Sequence, residues 1–125
     1  VEFVVDVSSD VPTAFADRLL VVRALTNVVE NALHAITDHG RIVLSGRLAS
    51  NGQVALDVRD TGSGIPPEVL SRIFEPYFST RTGGTGLGMA IVKRNVEASG
   101  GTVEVTSTPG VGTCVTFVLP TASVE

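Results

Sequence analysis

Gly83-Gly84-Thr85-Gly86-Leu87-Gly88-Met89-Ala90-Ile91-Val92 sets four glycines and a threonine directly ahead of an amphipathic segment. Ordering a glycine costs more backbone entropy than ordering any other residue, so a cluster of them needs a physical reason. One reason is an anion. The first turn of a helix presents unpaired N–H groups and partial positive charge, and residues without a Cβ let a phosphate come close. The other is a plain flexible turn before a helix. The stretch alone leaves both readings open, and the flanking sequence has to separate them.

Working outward, Gly86–Ser99 reads as a helix stopped by Gly100-Gly101. Thr102–Ser107 and Thr113–Leu119 read as a hairpin around Thr108-Pro109-Gly110-Val111-Gly112. On the N-terminal side, Glu75–Gly84 is irregular, and Pro67–Phe74 is a short helix with proline at its start. Thr61–Pro66 is a glycine-rich loop. Arg41–Leu48 and Gln53–Arg59 are strands joined through Asn51-Gly52, a hairpin signal. A long helix runs from an Asp17 cap to about Asp38, with Gly40 as its stop, and Glu2–Val7 is a strand. The order β-α-β-β-α-α-β-β predicts an α+β fold. It is a two-layer α/β sandwich, with a mixed, mostly antiparallel five-stranded sheet packed on three helices.

The long helix carries a polar stripe. At about 100° per residue, with Asn27 at zero, Asn31 falls near 40°, His34 near −20° and Glu30 near −60°. Val22, Leu25, Val29, Ala32, Leu33 and Ile36 fall on the other side, roughly 140–240°, and are the expected sheet-facing residues. The stripe reads either as a solvated face or as a ligand face. A solvated face favours Lys, Arg and Glu, whereas asparagines are poor helix formers with hard carbonyl ligands suited to Mg²⁺ or its waters. Asp60 stands where a strand meets the loop Thr61-Gly62-Ser63-Gly64-Ile65. Its carboxylate is acceptor-only, so it either takes an exocyclic amine such as adenine N6 or caps an Asx turn.

The chain has 125 residues and a hydrophobic fraction of 43%, enough for one domain with one core. No apolar run approaches the roughly 18 residues of a membrane span, so direct membrane contact is not expected. The start VEFVVDVSSD lacks a basic region and a cleavage-like site, and the absence of an initiator Met suggests a fragment of a longer protein. The net charge is −4 and basic runs are absent, which argues against nucleic acid. The single cysteine, Cys114, excludes an intrachain disulfide and reads as a buried, inert thiol on a strand. His34 and His39 have no partners at zinc spacing.

Five motifs then stand in one order. Asn27-Val28-Val29-Glu30-Asn31-Ala32-Leu33-His34-Ala35 resembles an N-box, and Asp60-Thr61-Gly62-Ser63-Gly64 a first glycine box. Ile73-Phe74-Glu75-Pro76-Tyr77-Phe78 resembles an F-box. Gly84-Thr85-Gly86-Leu87-Gly88 resembles a second glycine box, and Gly110-Val111-Gly112-Thr113 a closing glycine-threonine element. Together they resemble, over nearly the whole chain, the ATP-binding catalytic domain of sensor histidine kinases. These belong to the Bergerat-fold superfamily shared with gyrase, mismatch-repair ATPases and a chaperone ATPase.

The resemblance implies roles. Asn31 and Asn27 would hold Mg²⁺ on the ATP phosphates, with His34 beside them. Asp60 would take adenine N6, supported by Thr113. Gly62, Gly64 and Ile65 would shape the adenine pocket, and Phe78 would border the nucleotide. Gly84, Thr85, Gly86, Leu87 and Gly88 would give backbone N–H groups to the phosphates, at the hinge of a short lid over Ser79–Gly83. Arg81 is the lid's cation, either reaching the γ-phosphate or remaining solvated. Glu30 would polarise the attacking nucleophile. The implied activity is transfer of the γ-phosphate from Mg-ATP to a histidine on a dimerising helical phosphoacceptor domain of the same protein, and onward to a response regulator receiver domain. The implied compartment is the cytoplasm, with a parent protein that is membrane-anchored in some members and an isolated domain that is a monomer.

Other readings remain. An ATP hydrolase of the same fold carries a glutamate four residues before the metal-binding asparagine, where this chain has Asn27, a poor base. A serine-kinase anti-sigma factor would also normally carry glutamate there. A docking module without nucleotide binding would not need the intact Asn31, Asp60 and box glycines.

Overall fold

The computed structural model describes residues 1–7, 11–49, 52–78 and 88–121. Among them the chain runs β1 (Glu2–Val7), α1 (Arg18–Ala35), β2 (Arg41–Leu48), β3 (Val54–Asp60), α2 (Pro67–Leu70), α3 (Gly88–Ala98), β4 (Thr102–Thr108) and β5 (Gly112–Leu119). The strands make one five-stranded sheet in the order β1-β2-β3-β5-β4. β1 and β2 are parallel, which requires a crossover, and α1 supplies it. The other three pairs are antiparallel. This is the expected mixed, mostly antiparallel sheet under a layer of helices.

Alternation along the strands separates the two faces of the sheet. Ile42 on β2, Val58 on β3 and Val115, Phe117 and Leu119 on β5 are buried against Ala24, Val28 and Ala32 of α1 and Met89, Val92 and Val96 of α3. The opposite face holds a polar cluster that the sequence did not announce. Asp57 on β3 is 6% exposed; Arg47 Nε donates to its Oδ2 at 2.9 Å, and Thr116 Oγ1 donates to its Oδ1 at 2.6 Å. Burial pushes the Asp57 carboxyl up, but the hydrogen bonds from Arg47 and Thr116 outweigh burial and hold it below the ordinary aspartate value. Cys114 lies on that same face and is half-buried rather than buried, because β5 alternates and Thr113, not Cys114, points inward.

α1 starts as its sequence predicts. Asp17 Oδ1 accepts from the N–H groups of Leu19 and Leu20 at 3.0 and 3.2 Å, pairing two of the unpaired donors of the first turn. It stops at Ala35, short of the expected Asp38, because Ile36 is extended at φ −97° and ψ 116°. The Ala35 carbonyl is taken instead by the Ser63 N–H at 3.0 Å, so the helix end is docked onto the glycine loop.

The buried stripe of α1 also differs from the projection. Val22 and Leu33 are 50% and 46% exposed, while the small residues Ala24, Val28 and Ala32, at i, i+4 and i+8, are enclosed. Weighting by hydrophobicity favoured the larger side chains. Close approach of α3 and the sheet selects the face whose side chains are short enough to allow it. That face borders the polar stripe directly, which places Asn27 and Asn31 at the seam between α1 and α3.

α2 is a single turn, Pro67–Leu70, shorter than the expected Pro67–Phe74, and turn hydrogen bonds carry the chain on through Ile73. α3 is described from Gly88 to Ala98. Val54–Asp60 is the third strand, so Asp60 is its last residue and lies opposite Thr113 on β5.

Candidate nucleotide site

One cavity of about 420 Å³ opens between α1, α3, the loop after β3 and the ends of β4 and β5. Its size is within the usual range for small-molecule sites. Asn27, Glu30, Asn31 and His34 line it from α1, and Gly88 from the start of α3. Asp60 and Thr113 line it from the paired strand ends, with Gly64, Ile65 and Phe78 from the loops. Ten of the residues singled out in the sequence therefore converge on one space. Gly62 does not line it but packs beneath. Arg81, Gly84, Thr85, Gly86 and Leu87, together with the lid Ser79–Gly83, lie outside the described residues.

The loop after β3 is clasped on both sides. Ser63 N–H holds it to the end of α1, as above, and Gly110 N–H donates to Ser63 O at 2.7 Å from the β4–β5 turn. Gly64 has φ 77°, and a Cβ there would run into the Thr108 carbonyl oxygen and stand 2.8 Å from Pro109 Cα. A Cβ on Gly62 would lie 2.7 Å from the Cβ of Ala35. Both glycines are needed for close backbone approach, so their first task is to seat the loop.

Asp60 answers both readings of its sequence context at once. Its Oδ1 accepts the Gly62 N–H at 2.8 Å, an Asx turn, while the residue also lines the cavity. It is 8% exposed. Burial raises its carboxyl above the ordinary value, and hydrogen bonds from the backbone N–H groups of Gly62 and Thr113 pull it back only in part. Ile65, Val69, Ile73, Met89, Val105 and Val115 give the cavity apolar walls. A flat heterocycle fits this combination of apolar walls and a buried acceptor.

Asn31 faces the start of α3: a Cβ on Gly88 would come within 3.9 Å of its Nδ2. His34 Nδ1–H donates to the Glu30 carbonyl at 2.7 Å, which fixes the ring and leaves Nε2 as the nitrogen that can meet a ligand. The carboxamides of Asn27 and Asn31 offer hard oxygen donors that fit Mg²⁺, and among the described residues no trio of His, Cys, Asp or Glu forms a cage. A cation here would complete its shell with waters and ligand phosphates. Phe78 is set by the preceding residue. Tyr77 adopts φ 67° and is 79% exposed, reversing the chain so that Phe78 meets the cavity with the Arg72 guanidinium 4.3 Å from its ring centre.

Sequence reasoning missed Ser107. Its hydroxyl joins Ile65 N–H, at 2.7 Å, to Thr113 Oγ1, at 2.8 Å. The signal was available in the hairpin, whose register sets Ser107 opposite Thr113.

Residues 16–123 match the family described as histidine kinase-, DNA gyrase B- and HSP90-like ATPase. The chain is 47% identical over 104 residues to sensor histidine kinase ZraS of Klebsiella oxytoca, covering 83% of this chain and 22% of that protein. It is 36% identical over 120 residues to signal transduction histidine-protein kinase AtoS of Escherichia coli, covering 96% and 20%. It thus spans about a fifth of the length of these curated relatives. Among solved structures, a mycobacterial sensor histidine kinase, MprB, superposes with a TM-score of 0.84 at 32% identity, covering 98% of this chain and 85% of that one. Full-length ShkA in complex with AMPPNP superposes with a TM-score of 0.84 at 37% identity, covering 99% and 26%.

Proposed function

The chain belongs to the histidine kinase-, DNA gyrase B- and HSP90-like ATPase family, in company with sensor histidine kinases, and on that premise we propose that it binds Mg-ATP and passes the γ-phosphate to a histidine on a separate helical domain. The observation that carries the reading is the polarity of the cavity. Its lining combines a buried carboxylate and a hydroxyl from paired strand ends, a set of apolar side chains, and two carboxamides from α1. Those three kinds of group suit an adenine amino group, its ring and a metal-bound phosphate chain. The complex of ShkA with AMPPNP, an ATP analogue, supports the same reading.

In this mechanism Asp60 accepts from adenine N6 and Thr113 assists it. Ile65, Val69, Ile73 and Met89 exclude water from the ring. Asn31 and Asn27 would hold Mg²⁺, which supplies charge neutralisation on the phosphates when bound. His34 and the backbone N–H groups of the second glycine box, Gly84 to Gly88, orient the phosphates. A nitrogen of the acceptor histidine forms a bond to the γ-phosphorus as the bond from that phosphorus to the ADP oxygen breaks. Glu30 accepts a hydrogen bond from the other ring nitrogen and so raises the nucleophilicity of the first. A response regulator receiver domain then takes the phosphoryl group. Positioning and charge stabilisation suffice, because phosphoryl transfer asks little covalent chemistry of the protein.

The hydrolase reading lacks its base, since a carboxamide at Asn27 cannot take a proton from water. The test is a reconstitution in trans: this chain, γ-labelled ATP and the helical phosphoacceptor domain of the parent protein. Acid-labile label on the helical domain, lost with Glu30→Gln, is expected. Release of inorganic phosphate with no labelled protein would overturn the kinase reading in favour of hydrolysis.

A further inference from the structure

We infer that Ser107 is a positioning residue: it fixes the Thr113 hydroxyl as a hydrogen-bond acceptor and so makes the cavity select a 6-amino purine over a 6-oxo purine. The inference rests on the reading above, in which the purine edge meets Asp60 and Thr113.

The hydrogens available to Ser107 and Thr113 set the direction of each bond. Ser107 Oγ has three partners: Ile65 N–H at 2.7 Å, the Gly112 carbonyl at 2.9 Å and Thr113 Oγ1 at 2.8 Å. An amide N–H can only donate and a carbonyl can only accept. The serine hydroxyl has one hydrogen, and we assign it to the Gly112 carbonyl, the neighbour that cannot donate in return. Its two lone pairs then receive the Ile65 N–H and the Thr113 hydroxyl, so Thr113 is the donor in the pair with Ser107. Thr113 has spent its single hydrogen and shows the cavity only lone pairs. Across the strand pair, the Asp60 carboxyl accepts the backbone N–H groups of Gly62 and Thr113 and, when ionised, offers only its remaining lone pairs to a ligand.

Two acceptors therefore meet the ligand edge together. An amino group satisfies them, while a carbonyl oxygen at the same place meets lone pairs on both sides and loses its own water. Sites built around buried polar groups discriminate in this way far better than by shape. Ser107 does not line the cavity; it stands behind Thr113 and acts through it. Without it the Thr113 hydroxyl is free to turn and donate.

The test is a pair of titrations, ATP and GTP, on the chain with wild-type sequence, Ser107→Ala and Ser107→Thr. The expected result is an ATP preference in the wild type that narrows by roughly fivefold or more in Ser107→Ala, the scale of one net hydrogen bond. ATP affinity falls and GTP affinity does not fall with it. Ser107→Thr, which keeps the hydroxyl, restores the wild-type ratio. Equal losses for both nucleotides would show that Ser107 only holds the loop, and would overturn the inference. Should Ser107→Ala lose its circular dichroism signature, Thr113→Val decides: an unchanged ratio there overturns the inference as well. A folded wild-type chain that binds neither nucleotide would sink the cavity reading and this inference together. A wild-type preference that survives both variants sinks this inference alone.

Discussion

Gly64→Ala is the perturbation that most directly probes how the cavity wall is built. Gly64 and Gly110 both have a left-handed backbone, at φ 77° and 80°. Alanine at either pays the left-handed cost, about 1 kcal/mol. At Gly110 that is all, because nothing lies within 4 Å of the added Cβ. At Gly64 the Cβ enters the Thr108 carbonyl oxygen and sits 2.8 Å from both Pro109 Cα and Thr108 C. These are backbone atoms that cannot rotate aside, so the loop must lift from the β4–β5 turn. Overpacking of this kind adds about 1–3 kcal/mol, giving a total of roughly 2–4 kcal/mol for Gly64→Ala. For a chain of this size, Gly110→Ala should lower the melting temperature by about 3–5 °C and Gly64→Ala by roughly 6–20 °C. Differential scanning calorimetry measures both. ATP affinity, read by titration calorimetry, should fall in Gly64→Ala and hold in Gly110→Ala, since only the former displaces Ile65 and the clasp to Ser107. Equal melting temperatures for the two variants, with equal ATP affinity, would refute the account of the loop.

Thr116→Val removes the donor to Asp57 Oδ1 and leaves a buried carboxylate with one partner; urea unfolding should show a loss of about 1–3 kcal/mol, and acid unfolding should begin at higher pH. A variant as stable as the wild type would mean that the cluster on the outer face is dispensable. Asn31→Asp sets a negative charge beside the phosphates, a like-charge contact of roughly 1–4 kcal/mol, so Mg-ATP affinity should drop about tenfold or more in a chain that still melts normally. Wild-type affinity in that folded variant would remove Asn31 from the phosphate end. The two buried aspartates also predict a pH dependence. The folded carboxyl of Asp60 lies above its ordinary value of 3.8, so its ionisation weighs against the fold as pH rises through that window, and its protonation favours it. Asp57 is shifted the other way, and the stability it contributes is lost only as pH falls through its lowered value, beneath 3.8. On acidification, ATP binding should therefore weaken while the far-ultraviolet circular dichroism is still native; unfolding ahead of the binding loss would contradict these assignments.

Much of the fold was legible because local signals agreed. Asp17 predicted the start of α1, and alternation gave each strand to within a residue or so. What local patterning could not supply was the approach of distant elements. The end of α1 is decided by Ser63 docking on the Ala35 carbonyl, and its buried stripe by how near α3 can come to Ala24, Val28 and Ala32. The site was legible as residue types at spacings: Asn27, Asn31, Asp60 and Thr113 do share one cavity. Its supporting shell was not. Ser107 bonds across the hairpin and across to the loop, and Asp57 is matched by Arg47 from β2 and Thr116 from β5. The predicted hairpin already sets Ser107 opposite Thr113, but the bonds from Ser107 to Ile65 and from Thr116 to Asp57 join elements far apart in sequence and follow only from the packing of the whole sheet.

The account stands or falls on the cavity as a nucleotide site, and titration of the chain with ATP, with and without Mg²⁺, tests that claim most directly. The account predicts saturable binding that tightens with Mg²⁺ and disappears in a folded Asp60→Asn variant, in which half of the acceptor edge has become a donor. Unchanged binding by Asp60→Asn, or no binding by the folded wild-type chain, would contradict it.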